Sequence, residues 1–268
     1  MTETHSVLAT HPGRPAPRGG LSFTDSSSAR CPADDPTVPP PIIGITPDLY
    51  LRDGRPTVRV SPLYAQRVQA AGGLPVILPP PTDPAADPAA QARRYAEVCD
   101  ALVLSGGDDP ITEPFGEPTH PAAVRVLPER QAFELPLLDA FTDRPVLGVC
   151  LGMQYMALAR GGRLDQHLPD GRLIDPATAA RHWDADHPII AEQHAPLVGG
   201  VSHSRHRQAV ADPGSLRVAA HADDGLIEAI FDPNARFYLG VQWHPERTTS
   251  RELGQDLFDR LVAASRAR

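Results

Sequence analysis

From Pro41 onward, short apolar runs alternate with amphipathic stretches. Ile42 to Thr46, Leu74 to Leu78, Ala101 to Leu104 and Pro145 to Val149 are almost continuously apolar. Each predicts a strand buried on both faces. Helical spacing fills the intervals. Ser61-Pro62 reads as an N-cap with proline in the first turn, opening a helix to about Ala71 with Leu63, Tyr64, Val68 and Ala71 inward. Gly72-Gly73 ends it. Further helices are expected at Pro88 to Val98 and roughly Pro128 to Thr142, with a kink or a split at Pro136. Leu151 to Arg160 is apolar on nearly every side, so a buried helix is expected there. Strands and helices alternating at this spacing predict βαβ units and a parallel sheet.

The rhythm changes beyond residue 163. Residues 163–215 break into short, turn-rich segments that hold many histidines. Leu216 to Ala220, Leu226 to Phe231 and Phe237 to Val241 read as strands again. A last helix is expected from about Thr249, where Thr249-x-x-Glu252 has the form of a capping box. Residues 1–40 are rich in Pro, Ser, Gly and Arg and lack apolar periodicity, so they predict a disordered tail. Residues 41–268 then make one α/β domain.

Composition narrows the function. The 268 residues carry a net charge of −8, which argues against nucleic acid or an acidic membrane surface as the main partner. All 25 cationic side chains are arginine, so Schiff-base lysine and P-loop chemistry are excluded. Cys31, Cys99 and Cys150 have neither a redox nor a zinc spacing, and a reduced, cytoplasmic setting is expected. No run approaches the roughly 20 apolar residues of a membrane span, and no signal peptide is evident.

The chemistry centres on Gly148-Val149-Cys150-Leu151-Gly152. A G-x-C-x-G between a strand and a helix has the form of a nucleophile elbow. Its strained turn needs small neighbours, and the helix start directs free N–H groups and a positive dipole end at the sulfur. A lone buried cysteine is more often structural; the two glycines and the strand–turn–helix context favour the nucleophile. Such a sulfur needs a base and an orienter. His244 and Glu246, two apart beyond a strand, fall on one face if the backbone stays extended. Leu151 N–H is one natural oxyanion donor, and the Gly106-Gly107 turn is a candidate for the other, with Gly106 beside the substrate. On its own, Ser105-Gly106-Gly107-Asp108-Asp109-Pro110 serves equally well as a tight turn. His182, His187, His194, His203 and His206 match no zinc template. No metal and no cofactor are expected.

Taken together, residues 41 to about 250 resemble the class I glutamine amidotransferase superfamily. The similar segments include SGGDDP at 105–110, PVLGVCLGMQ at 145–154, HSRHRQAV at 203–210, DGLIEAI at 224–230 and GVQWHPE at 240–246. They resemble most the γ-glutamyl-γ-aminobutyrate hydrolase branch. The resemblance implies a flavodoxin-like, mostly parallel sheet with helices on both faces. It implies Cys150 as nucleophile, His244 as base and Glu246 as orienter, cleaving a γ-glutamyl amide through a thioester. It places Gln154 near the glutamyl end of a small-molecule substrate, and Ser204 and His206 on the pocket wall. Two departures concern substrate choice: Leu151 stands where the branch commonly has arginine, and His203 and Arg207 interrupt its NS-x-HHQ segment. Three readings stay open: a stand-alone γ-glutamyl hydrolase, a glutaminase subunit feeding ammonia to a separate synthase, and a non-catalytic binding protein. A homo-oligomer is compatible with each.

Overall fold

The computed structural model describes residues 38–266. The expected tail, with Cys31, lies outside the described residues except for 38–40. The chain enters through β1 (Ile42–Ile45) and turns into a hairpin of β2 (Asp48–Arg52) and β3 (Arg55–Arg59). Asp53 and Gly54 both have positive φ, which gives a two-residue turn whose twist suits a hairpin. α1 (Pro62–Ala70) follows, capped by the Ser61 hydroxyl on Leu63 N–H. Then come β4 (Leu74–Ile77), α2 (Pro88–Val98), β5 (Ala101–Leu104), α3 (Pro128–Ala140), β6 (Val146–Val149) and α4 (Leu151–Ala159). The second half holds β7 (Arg163–Asp165), α5 (Pro176–Ala179), β8 (Trp183–Ala191), β9 (Gly200–Arg205), β10 (Ala209–Asp212), β11 (Arg217–Ala222), β12 (Ile227–Phe231), β13 (Tyr238–Val241) and α6 (Gln255–Arg266).

One mixed sheet carries the domain, in the order β4-β1-β5-β6-β13-β12-β11-β8-β9. The first five are parallel neighbours and run in flavodoxin-like order. From β13 outward every pairing is antiparallel, and β10 bridges β12 to β7. Alternation along the parallel strands divides the core. On β5, Leu102 and Leu104 face one way, with Phe133 and Leu137 of α3 and Met153 and Met156 of α4. Ala101 and Val103 face the other way, with Val68 of α1 and Leu257 and Leu261 of α6. The expected two-sided layering is present.

Three local expectations are corrected. α3 is one continuous helix through Pro136. Its buried ridge of Phe133, Leu137 and Leu138 anchors the turns on both sides of the proline against the same core. α6 begins at Gln255 rather than near Thr249. The capping box does not form, because the Ser250 hydroxyl lies 2.9 Å from the Glu252 carboxylate and Ser250 Oγ accepts Leu253 N–H. Finally, the segment expected to be turn-rich contains the nine-residue strand β8, paired along its length with β9.

The elbow is wedged into this core. A Cβ on Gly152 would sit 2.4 Å from the Leu104 carbonyl oxygen, and one on Gly148 would sit 2.4 Å from Met156 Sδ. Backbone cannot give way as a side chain can. Gly152→Ala is therefore expected to lower stability by about 1–3 kcal/mol, the usual cost of overpacking. Urea denaturation with an unchanged m-value would check it.

Candidate active site

The parallel strands deliver their loops to one end of the sheet, where open α/β sheets form their ligand crevice. A cleft of about 820 Å³ lies there, lined by Gly106, Gly107, Cys150, Gln154, His244 and Glu246 among others. β5 supplies Ser105-Gly106-Gly107, β6 supplies Cys150, and β13 supplies Gln242 to Glu246.

Cys150 sits at φ 51° and ψ −104°, a region a non-glycine residue occupies only under constraint. Its N–H donates to Val241 O at 2.8 Å, which ties the turn to β13. The side chain thereby stands at the N-terminus of α4, beside the unpaired backbone N–H groups of its first turn. A second donor comes from the side: Gln242 Nε2 lies 3.5 Å from the sulfur, and Gln154 Nε2 donates to Gln242 Oε1 at 3.3 Å. Gln154 does reach the cleft, and it also steadies the glutamine that meets the sulfur.

His244 and Glu246 do share a face. His244 Nδ1 lies 2.8 Å from Glu246 Oε1. With that nitrogen fixed by the carboxylate, Nε2 is left for a second partner, and the Cys150 sulfur acts on the ring. Burial pulls the His244 pKa down; the Cys150 sulfur and the Glu246 carboxylate outweigh it and raise the pKa to about 10. The His244–Glu246 segment is also held from behind. Arg67 of α1 donates to the backbone carbonyls of Glu246 and Thr248 at 3.1–3.4 Å. His244 N–H donates to His203 O of β9 at 2.8 Å. The absence of a Cβ at Gly106 keeps the approach open: one there would lie 2.9 Å from His244 Cε1.

The Gly106-Gly107 turn is set by a residue that sequence reasoning missed. Arg130, on α3, is fully buried. Its Nη2 donates to Ser105 O at 3.2 Å and Gly106 O at 3.1 Å. Its Nη1 meets Asp48 and its Nε meets Glu134, both at 2.9 Å. Burial works against its charge, but Glu134 more than offsets this and its pKa is raised. All described peptides are trans, so C=O and N–H point in opposite directions. With Gly106 O turned to Arg130, Gly107 N–H is turned away from it. Gly107 and Leu151 adjoin, since a Cβ on Gly107 would lie 3.2 Å from Leu151 Cδ2. Neither N–H has a protein acceptor among the described residues. The available sequence signal was an Arg–Glu pair at i,i+4 on the same helix as the buried Phe133, Leu137 and Leu138.

The expected wall residues divide. His206 borders the cleft. Ser204 does not reach it: the residue is fully buried and its hydroxyl lies 2.7 Å from His187 Nε2. Trp183, Arg205 and Arg207, from and beside the β8–β9 edge, form the far wall instead. Arg207 stacks over the Trp183 ring at 3.8 Å. Asp108 and Asp109 line the near wall, and burial raises the pKa of both.

A sheet in this order with a cysteine elbow facing an His–Glu pair defines the class I glutamine amidotransferase-like proteins. Within that class the chain belongs to the Peptidase C26 family, whose pattern matches residues 41–246. It is 30% identical over 249 residues to a protein of Escherichia coli O157:H7 named "Gamma-glutamyl-gamma-aminobutyrate hydrolase", covering 84% of this chain and 93% of that one. It is 34% identical over 223 residues to "Putative glutamine amidotransferase Rv2859c" of Mycobacterium tuberculosis, covering 78% of this chain and 70% of that one. In structure it is similar to a chain from Thermoplasma acidophilum titled a "putative gmp synthase subunit a protein". That match has a TM-score of 0.58 and 15% identity, and covers 85% of this chain and 95% of that one; it bears on fold alone. No helix among the described residues is long and apolar enough to cross a membrane.

The His244 shift has a pH consequence. A folded-state pKa raised above the unfolded value near 6.5 contributes stability that is fully present below that value. The contribution is lost as pH rises through about 10. The Tm difference between wild type and His244→Gln should therefore stay level up to pH about 6.5 and shrink toward pH about 10. Differential scanning calorimetry across that range would measure it.

Proposed function

We propose that the protein hydrolyses the γ-amide bond of small γ-glutamyl compounds through a thioester on Cys150. The observation that carries this reading is the strained Cys150 beside the His244–Glu246 pair in a cleft large enough for a small molecule. The Peptidase C26 membership and the γ-glutamyl hydrolase relatives support the hydrolase class.

In this mechanism the Cys150 thiolate attacks the amide carbonyl carbon. Negative charge moves to the carbonyl oxygen, where Gly107 and Leu151 N–H are the donors. The protonated His244 ring gives its proton to the amide nitrogen as the C–N bond breaks, and the amine leaves. Water then attacks the thioester carbonyl and gives a proton to His244. The C–S bond breaks, freeing the γ-carboxylate and restoring the thiolate. Glu246 holds the ring in one tautomer, as a triad's third member does. The substrate's glutamyl end is zwitterionic. The cleft offers Arg247 for a carboxylate and Asp108 for an ammonium.

The amidotransferase name of the mycobacterial relative favours a second reading, a glutaminase that passes ammonia to a separate synthase. Incubation of the purified protein with γ-glutamyl amides and glutamine separates the two. Release of glutamate by the protein alone supports hydrolysis; release only with an added synthase supports the second reading. Cys150→Ala should lower turnover by about a thousandfold or more. Equal release by wild type and Cys150→Ala would refute both.

Arg130 is a positioning residue, and its signature should differ from that of the nucleophile. Arg130→Lys cannot hold two carbonyls and two carboxylates together. Acyl-enzyme formation should fall about 100- to 1000-fold, the range for a lost oxyanion donor. Alkylation of Cys150 by iodoacetamide should stay near the wild-type rate. Stopped-flow acylation and mass-spectrometric alkylation would measure the two rates.

A further inference from the structure

Behind the far wall of the cleft, three imidazoles and a carboxylate converge. His182 closes the 3-10 turn Ala180–His182, His187 lies on β8, His206 follows β9, and Glu228 lies on β12. None is more than 3% exposed. Each ring has its outer nitrogen beside an acceptor: His182 Nε2 is 2.8 Å from Asp224 Oδ2, His206 Nδ1 is 2.8 Å from Gln208 O, and His187 Nδ1 is 3.2 Å from Pro188 O. A carbonyl or an ionised carboxylate only accepts, so the outer nitrogens carry the protons. When the rings are neutral, the inner nitrogens present lone pairs.

Those lone pairs face one another and Glu228. His182 Nδ1 lies 3.3 Å from both His206 Nε2 and Glu228 Oε1. His206 Nε2 lies 3.3 Å and His187 Nε2 3.6 Å from the same oxygen. Both Glu228 oxygens accept no hydrogen bond, although the residue is fully buried. The Ser204 hydroxyl, on His187 Nε2, is the nearest donor. With neutral rings these are four inward-facing acceptors, which repel unless something positive, a proton on an imidazole or a metal ion, lies between them. A tetrahedron with zinc–ligand distances of about 2.0–2.1 Å has edges of about 3.3–3.4 Å; three of the separations above match it, the fourth is slightly longer, and all four atoms lie within 4.8 Å of one another.

We propose that His182 Nδ1, His187 Nε2, His206 Nε2 and Glu228 Oε1 bind a zinc-class divalent cation in a closed, four-coordinate site. The ligand set suits the ion: imidazole and carboxylate, no thiolate, tetrahedral spacing. The outer partners Asp224, Gln208 O and Pro188 O supply the second shell that orients metal-bound histidines. Charge closes as well, since a dication faces one carboxylate in the site and one behind His182. Binding would displace the Ser204 hydroxyl from the His187 lone pair. With all four positions taken by protein, the ion's role is structural. It would clamp β8, β9 and β12 to the 3-10 turn, fixing the strand whose His203 carbonyl holds His244 N–H. The histidine spacings fit no sequence template because the ligands come from four separate elements, and the expectation of no metal is revised here.

The test begins with untagged protein expressed in zinc-supplemented medium and assayed by inductively coupled plasma mass spectrometry. About one zinc per chain is expected, with a Tm that falls on stripping by dipicolinate and recovers with zinc. Cobalt added to the stripped wild type should give the intense visible bands of tetrahedral coordination, a readout that needs no variant. Glu228→Gln and His187→Gln should each lose the metal. His120 and His167, with Asp170, form a second and more exposed cluster. His167→Ala should therefore keep the metal. Less than about 0.1 zinc per chain, with neither a Tm response nor cobalt bands, would overturn the proposal. So would metal lost in His167→Ala yet retained in Glu228→Gln.

Discussion

A cysteine held where its backbone does not prefer to be is the constraint on which the molecule depends. Residues in such conformations cost on the order of 1–3 kcal/mol and persist only when their surroundings over-determine them. Here the surroundings are specific. The Cys150 N–H is bound to β13, and the two flanking glycines are pressed against Met156 and the Leu104 carbonyl. Neither strand can shift without releasing the turn. The five parallel strands therefore act as a vice around one side chain, and the two-sided core supplies the closing force.

The partners of that side chain arrive by backbone fixing rather than side-chain reach. Arg130 does not touch the cleft; it grips two carbonyls and so turns a peptide plane. Arg67 grips the carbonyls of Glu246 and Thr248 in the same manner. Guanidinium suits this task because its planar fork serves several acceptors at once and stays charged when buried. A chain whose cationic side chains are all arginine is well supplied for it.

The parallel half of the fold, and the gathering of Cys150, His244 and Glu246 at one cleft, were legible in the sequence for one reason. Strands buried on both faces leave continuous apolar runs, and an elbow leaves glycines at fixed offsets. Legibility faded where burial is one-sided or absent. In β3 four of five residues are exposed, so its pairing with β2 left no apolar trace. β8 alternates in burial and carries Pro188, and it read as turns. Thr249-x-x-Glu252 had the right letters, but Ser250 took the contacts a capping box needs. Arg130 and Glu228 were missed because a buried charge looks like a surface charge until its partners, distant in sequence, are seen.

The sheet changes character at β13, and this has a consequence for how such a protein diversifies. Cys150, His244 and Glu246 belong to the parallel strands and their loops. The far wall, with Trp183, Arg205 and Arg207, belongs to the antiparallel annex. The two regions are joined at the cleft end by defined hydrogen bonds, among them His244 N–H to His203 O, His203 N–H to Thr248 Oγ1 and Gln242 N–H to Glu228 O. Substitutions in the annex that leave these bonds in place can reshape the crevice entrance while the thiol and its imidazole keep their positions, so one core arrangement can be paired with differently shaped doorways.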